Sequence, residues 1–182
     1  MPAVVFRFAT VADARSYEDF MAAMFAENLD TLCPRVEAPT LEQVERLLEK
    51  HHGDTSGVLL AERDGVLLGT ANMFRLLRPH LNHTVMLGLN VKQGLRGQGI
   101  GRHLLQEAVA WFERTLALER LELDVVNINA VAIHLYESFG FVTEGIKRGA
   151  VKKGERYFDL HTMARVKPPC GEVQPREKPP CT

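Results

Sequence analysis

The chain has 182 residues and 20.4 kDa, enough for one domain of ordinary size and hardly enough for two. Its 46% apolar and 25% charged residues lie in the globular range, so a sizeable core is expected and the disordered and membrane classes are excluded. Lys and Arg number 22 against 23 Asp and Glu, which leaves no positive field for a nucleic-acid partner. No apolar run approaches the about 20 residues of a membrane helix, and Met1 to Thr10 lacks the charged start and apolar stretch of a signal peptide. Cys33, Cys170 and Cys181 are too few and too scattered for a disulfide framework or a four-ligand zinc site. The expectation is a cytoplasmic protein with reduced thiols, no metal and no membrane partner.

Val4, Val5, Phe6 and Phe8 read as a first strand. Thr10 to Asp13 supply N-cap chemistry for a helix in which Ala14, Tyr17, Met21 and Met24 share one face. Beyond Pro34 and Pro39, Thr40 and Gln43 make a capping box for a second helix carrying Leu41, Val44, Leu47 and Leu48 and ending at Gly53. Val58 to Glu62 and Val66 to Phe74 flank Asp64-Gly65, a dipeptide suited to a tight hairpin turn. Thr84 to Val91 is a further strand, and from Gly99 onward Ile100, Leu104, Ala108, Phe112 and Leu116 recur at helical spacing. Leu121 to Val126 reads as a strand, Asn129 to Phe139 as a helix, Gly140 to Val142 as a short strand and Arg156 to Met163 as the last. The order β-α-α-β-β-β-α-β-α-β-β is that of a mixed α/β sheet, neither all parallel nor a sandwich. The domain spans residues 1–165. Val166 to Thr182 holds five of the nine prolines and almost no large apolar side chains, and reads as a proline-rich tail.

Four glycines fall between Gly94 and Gly101, between a strand and a helix. Without Cβ atoms such a loop turns tightly and gathers N–H groups at a helix N-terminus, where the dipole favours an anion. Arg96 and Arg102 add planar cationic donors. A nucleotide P-loop is excluded because Gly101-Arg102-His103 offers neither the lysine nor the hydroxyl. A dinucleotide fingerprint is excluded because its third glycine would fall at Arg102 or Leu104. What remains is Arg96-x-x-Gly99-x-Gly101, suited to a phosphate or pyrophosphate, or to a glycine-rich turn with no ligand.

Together with Asn129, Ala132, Tyr136 and Phe139-Gly140-Phe141, this loop resembles the GCN5-related N-acetyltransferase (GNAT) family over most of residues 4–165. The stretch through Glu144-Gly145, Gly154, Tyr157, Asp159 and Met163-Ala164-Arg165 is similar to the bacterial branch that acetylates amino acids or protein N-termini. The fold this implies is a mixed, mostly antiparallel central sheet flanked by helices. The implied cosubstrate is acetyl-CoA, with its pyrophosphate among Arg96, Gly97, Gln98, Gly99, Gly101 and Arg102, and its pantetheine arm paired like a strand against Leu87 to Val91 through the backbone of Leu89 and Val91. Extended ligands add to open sheet edges in this way. The implied acceptor is a primary amine on a small molecule or a peptide N-terminus, and the resemblance leaves room for a homodimer.

Asn129, Ile133 and Tyr136 lie one and two helical turns apart, so Asn129 and Tyr136 can meet one ligand. Asn129 reads equally as a plain N-cap. The family's tyrosine is assigned as general acid toward the departing thiolate, a role that falls on Tyr136. Relatives often carry a glutamate in a stretch resembling H-T-x-E-L-G, but here His83-Thr84-Val85-Met86-Leu87-Gly88 places Met86 at that position. A thioether accepts no proton, so His83, Glu122 or water remains as base. Lys147, Arg148, Lys152, Lys153 and Arg156 form a basic rim suited to a carboxylate on the acceptor, or a solvated charged hairpin. A catalytically weak acyl-CoA-binding module is the competing reading.

Overall fold

In the computed structural model, residues 3–27, 29–31, 38–51 and 53–168 are described. Seven strands and four helices follow in the order β1 (Val5–Phe8), α1 (Ala14–Ala26), α2 (Leu41–Lys50), β2 (Gly57–Arg63), β3 (Val66–Arg75), β4 (Thr84–Val91), α3 (Ile100–Arg114), β5 (Arg120–Val126), α4 (Ala130–Ser138), β6 (Val142–Lys153) and β7 (Arg156–Val166). One sheet contains all seven strands in the order β1-β2-β3-β4-β5-β7-β6. Every neighbouring pair is antiparallel except β4 and β5, which run parallel. Cys33, Cys170, Cys181 and the tail beyond Pro168 lie outside the described residues.

The period of two along each strand divides the core into two layers. Leu59 and Ala61 of β2, Ala71 and Met73 of β3, Val85 and Leu87 of β4, and Leu121 and Leu123 of β5 pack with Ile100, Leu104, Leu105, Ala108 and Phe112 of α3. Val58 and Leu60 face the other way, against Tyr17, Phe20 and Met24 of α1 and Val44 and Leu48 of α2. Strands covered on both faces read as continuous apolar runs, and Gly57 to Ala61 is buried without interruption. On α1 the buried face holds Ala14, Tyr17, Phe20 and Met24, with Met21 half-buried at its margin.

Local signals account for most boundaries. Thr40 accepts from the Gln43 amide at 3.4 Å while the Gln43 side chain accepts from the Thr40 amide at 3.1 Å, and α2 stops at Lys50, three residues short of Gly53. Asp64 and Gly65 both take positive φ, 52° and 74°, in the β2–β3 turn. The last hairpin departs from expectation: the short strand at Gly140 to Val142 is in fact β6, running to Lys153. Its pairing with β7 shifts register between Thr143 and Gly145 and again between Lys147 and Val151, so its glycines sit at irregularities inside a strand rather than at its end. β7 extends to Val166, and Lys167 is still tied to the fold through its amide to the Glu119 carbonyl at 2.8 Å and its ammonium to the Thr115 carbonyl at 2.9 Å. No helix among the described residues is long and apolar enough to cross a membrane.

Candidate active site

β4 and β5 pair only at Thr84–Arg120, Val85–Leu121 and Met86–Glu122. Beyond that point β4 stays with β3 as far as Val91, and β5 stays with β7 as far as Val126. The sheet therefore splits, leaving the β5-facing edge of Leu87 to Val91 without a strand partner. A cavity of about 630 Å³ fills the split, within the range of small-molecule sites. Leu87 to Val91 form one wall and Asp124 to Val126 the other, with the glycine loop at one end and α4 alongside.

The loop is built around exposed amides. Gln93 to Leu95 make one short 3-10 turn, and Gly99 then takes φ 84° as N-cap of α3. Nothing lies within 4 Å of a Cβ built on Gly99, so glycine is required there by the left-handed backbone and not by crowding. No N–H from Gly97 to Arg102 has an acceptor among the described residues; the first α3 hydrogen bond runs from His103 to the Gly99 carbonyl at 3.0 Å. Six successive free amides at a helix N-terminus fit the pyrophosphate of acetyl-CoA, and the unpaired edge of β4 fits an extended arm. Leu89, Val91, Arg96, Gly97, Gly99, Gly101, Arg102 and Asn129 all lie on the cavity wall.

Gln98 does not lie on that wall; its side-chain Nε2 donates to the Gly94 carbonyl at 3.4 Å and tightens the loop. Arg96 lies on the wall but is not a free cation. Its Nε donates to the Val91 carbonyl at 3.0 Å and its Nη2 to Glu27 at 3.1 Å, while Glu27 also accepts from the Gln93 amide at 2.9 Å. Arg102 has no ion-pair partner among the described residues and lies over the Phe139 ring at 5.3 Å, which makes it the cation available to an anionic ligand.

On α4, the Asn129 side chain caps the helix by accepting from the Ala132 amide at 3.2 Å while lining the cavity. Tyr136, two turns on, is 7% exposed and packs on Phe141 with ring centroids 5.7 Å apart. Burial pushes its phenol up to about 12, because the ionised form would lose its hydration. The hydroxyl has no partner among the described residues, and Tyr136 belongs to the cavity wall. Gly140 follows the helix at φ 80°, and a Cβ there would fall 2.5 Å from Nη1 of Arg165, which donates to the Phe139 carbonyl at 2.6 Å. That contact explains the glycine between Phe139 and Phe141.

The candidate bases are distributed unequally. The structure does not bring His83 to the cavity: it precedes β4 at the closed end of the split, where its carbonyl accepts from the Glu119 and Arg120 amides at 2.9 and 3.2 Å. Four residues of strand, about 13 Å, separate it from Leu87. Glu122 pairs with Arg120 at 2.8 Å, and Arg120 also pairs with Glu144, an arrangement that raises the guanidinium above its usual range. The carboxylate brought to the wall is Asp124, alone among the described acidic residues. It accepts from Thr162 Oγ1 at 2.7 Å and from Lys147 Nζ at 2.7 and 3.0 Å. Sequence reasoning missed it. The strand period of two puts Glu122 and Asp124 on one face, but where β4 and β5 part is a tertiary feature with no local signal.

Two of the five cations of the basic rim are ion-paired among the described residues. Lys147 meets Asp124, Lys153 meets the Leu29 carbonyl, and Arg156 meets Asp30 at 2.6 Å. Among the described residues no cluster of three or more His, Cys, Asp or Glu could hold a metal ion.

Residues 22–141 match the acetyltransferase (GNAT) family. The L-amino acid N-acetyltransferase AaaT of Escherichia coli (strain K12) is 29% identical over 159 residues, covering 86% of this chain and 95% of the relative. A GNAT-family acetyltransferase from Streptococcus pneumoniae superposes with TM-score 0.84 at 28% identity, over 91% of this chain and 100% of that one. A ribosomal-protein-alanine N-acetyltransferase from Brucella melitensis superposes with TM-score 0.76 at 30% identity, over 89% and 99%. With the glycine loop at α3, the split between β4 and β5 and the match over more than half its length, the chain belongs to the acetyltransferase (GNAT) family.

Proposed function

We propose that this acyltransferase moves an acetyl group from acetyl-CoA to a primary amine, on an amino acid, another small amine or a protein N-terminus, by direct attack in a ternary complex. The observation that carries the reading is the split sheet: one cavity joins the free amides of Gly97 to Arg102 at one end to the buried phenol of Tyr136 and the carboxylate of Asp124. The relatives named for L-amino acids and for ribosomal-protein alanine support an α-amine as acceptor.

Acetyl-CoA supplies, when bound, an acyl carbon activated by a sulfur leaving group. Gly97 to Arg102 would hold its pyrophosphate and the free edge of Leu89 and Val91 its arm, with Arg102 balancing charge. Tyr136 stays protonated through the neutral range because burial holds its phenol near 12, so it has a proton to donate where thiolate charge develops. The same low-polarity surroundings raise the proton affinity of a nascent thiolate, which narrows the gap between donor and acceptor. Asp124 takes the place that Met86 leaves vacant, accepting the amine's proton directly or through one water. Its bonds to Thr162 and Lys147 fix the carboxylate's orientation.

Free-thiol release from acetyl-CoA with a panel of amino acids, amines and peptides, with mass spectrometry of the products, tests the reading. Amine-dependent thiol release with an N-acetyl product is expected. Met86 in the glutamate position favours the second reading, an acyl-CoA-binding module without turnover; tight acetyl-CoA binding with no thiol release across the panel would establish that one instead.

A further inference from the structure

On β4 the period of two puts Met86 and Gly88 on the sheet face opposite α3, and their cross-strand partners on β3 are Phe74 and Asn72. That face is covered by α1 and α2, and between these helices and β3 lies a small cavity of about 90 Å³. Met21, Val44, Leu47 and Phe74 are among its apolar lining, with Tyr17, Gln43 and Asn72 as polar members. At about 30 Å³ per water, it has room for three waters or for a side chain of about four heavy atoms.

The small cavity and the larger one between β4 and β5 are lined by cross-strand neighbours. Gly88 lines the larger one and Asn72 the smaller. A Cβ on Gly88 would stand 3.8 Å from the Asn72 Cβ and 3.9 Å from its Nδ2, so glycine leaves an opening beside the Asn72 side chain. Tyr17 donates to Asn72 Oδ1 at 3.2 Å, which orients the amide with Nδ2 toward that opening. Glu122 and Asp124 lie on the same sheet face, across the split on β5. An acceptor there meets carboxylates on one side of the split and, on the other, mostly apolar carbon beside the Asn72 amide.

We infer that the cavity between α1, α2 and β3 takes the apolar side chain of the acceptor, so that the enzyme selects an α-amine bearing a leucine- or methionine-like substituent, with Asn72 Nδ2 donating to its carbonyl or carboxylate oxygen. This rests on the acyltransferase reading for the reaction but not for the binding of the side chain. Lys147 and Arg156 of the hairpin are paired with Asp124 and Asp30, and the small cavity carries no cation to favour an acidic side chain and no anion to favour a polyamine. Van der Waals discrimination in a pocket of this kind is worth about 10- to 200-fold per methylene-sized difference.

The test compares L-leucinamide, L-methioninamide, glycinamide and L-aspartic acid α-amide as acceptors, with L-leucine and a leucine-initiated tripeptide separating free amino acid from peptide N-terminus. Expected kcat/KM values for the leucine and methionine compounds exceed those for the glycine and aspartate compounds by at least about 10-fold. Leu47→Phe, which fills the cavity, should reduce the leucinamide to glycinamide ratio toward one, and Leu47→Ala should shift preference toward larger side chains. Acetyl-CoA affinity of each variant, measured by calorimetry, checks that it folds. Independently of turnover, L-leucinamide should bind to the CoA-saturated parent more tightly than glycinamide, and Leu47→Phe should abolish the difference. Equal affinity for the two compounds, or a ratio that Leu47→Phe leaves unchanged, would overturn the inference. Absence of turnover with every amine, beside selective leucinamide binding, would overturn the reaction and leave the pocket standing.

Discussion

Replacing Tyr136 with phenylalanine keeps the ring and its contact with Phe141 at 5.7 Å and removes one oxygen. Two independent consequences follow from the burial of that oxygen. In catalysis, loss of a general acid lowers kcat by about 10²- to 10⁴-fold, about 3 to 5 kcal/mol on the barrier, while KM for acetyl-CoA changes little because the phenol binds no phosphate. In stability, the phenol is raised from 10.0 to about 12 by desolvation, about 2 to 3 kcal/mol at 1.36 kcal/mol per unit. The folded state holds that proton more tightly than the unfolded chain, so the contribution is intact below pH 10 and lost as pH climbs through 12. Urea unfolding at pH 9 and at pH 11 should show the parent losing more stability than Tyr136→Phe across that interval. Full activity in the variant would remove the phenol from the mechanism. An unchanged alkaline stability loss would show that the hydroxyl is not desolvated.

Asp124→Asn preserves an acceptor for Thr162 but not the charge, and should reduce kcat by about 10²-fold or more and let the rate follow the acceptor amine's own ionisation; His83→Ala should leave the profile as it is, and an inflection near ~6.5 lost in His83→Ala would make His83 the base. Asp13, held to about 2 by hydrogen bonds from Arg7 and Thr10, contributes stability above pH 4 that disappears as pH falls through 2, so acid unfolding of Asp13→Asn should show a shallower loss over that window. Gly99→Ala has room for its Cβ but not a permitted backbone, and thermal unfolding should register about 1 to 2 kcal/mol. Removing residues 169–182 should leave the melting temperature within a few degrees, because β7 and the Lys167 contacts are retained.

The fold was legible where a local rule decides it. Thr40 with Gln43, Asp64-Gly65 and the helical period from Ile100 each name a conformation their own residues enforce. β6 was not legible, because Gly145 and Gly149 resemble terminators until the register shifts beside them are seen. The glycine loop was legible from its spacing between a strand and a helix, whereas Tyr136 was singled out through the resemblance to the GNAT family. Asp124 and the neutralised state of Arg96 were not legible, since the first depends on where two parallel strands part and the second on Glu27, sixty-nine residues away. Charge counted along the hairpin likewise overstated the basic rim, because ion pairing with Asp124 and Asp30 is set by the tertiary fold.

Calorimetric titration of acetyl-CoA into the parent and into Gly99→Glu tests the central claim most directly. The claim is that the free amides from Gly97 to Arg102 hold the pyrophosphate. The parent should bind one acetyl-CoA with an affinity that weakens as salt rises, and Gly99→Glu, which places a side chain and a negative charge in the cradle, should give no measurable heat of binding while circular dichroism shows an intact fold. Equal affinity in the two proteins would contradict the account.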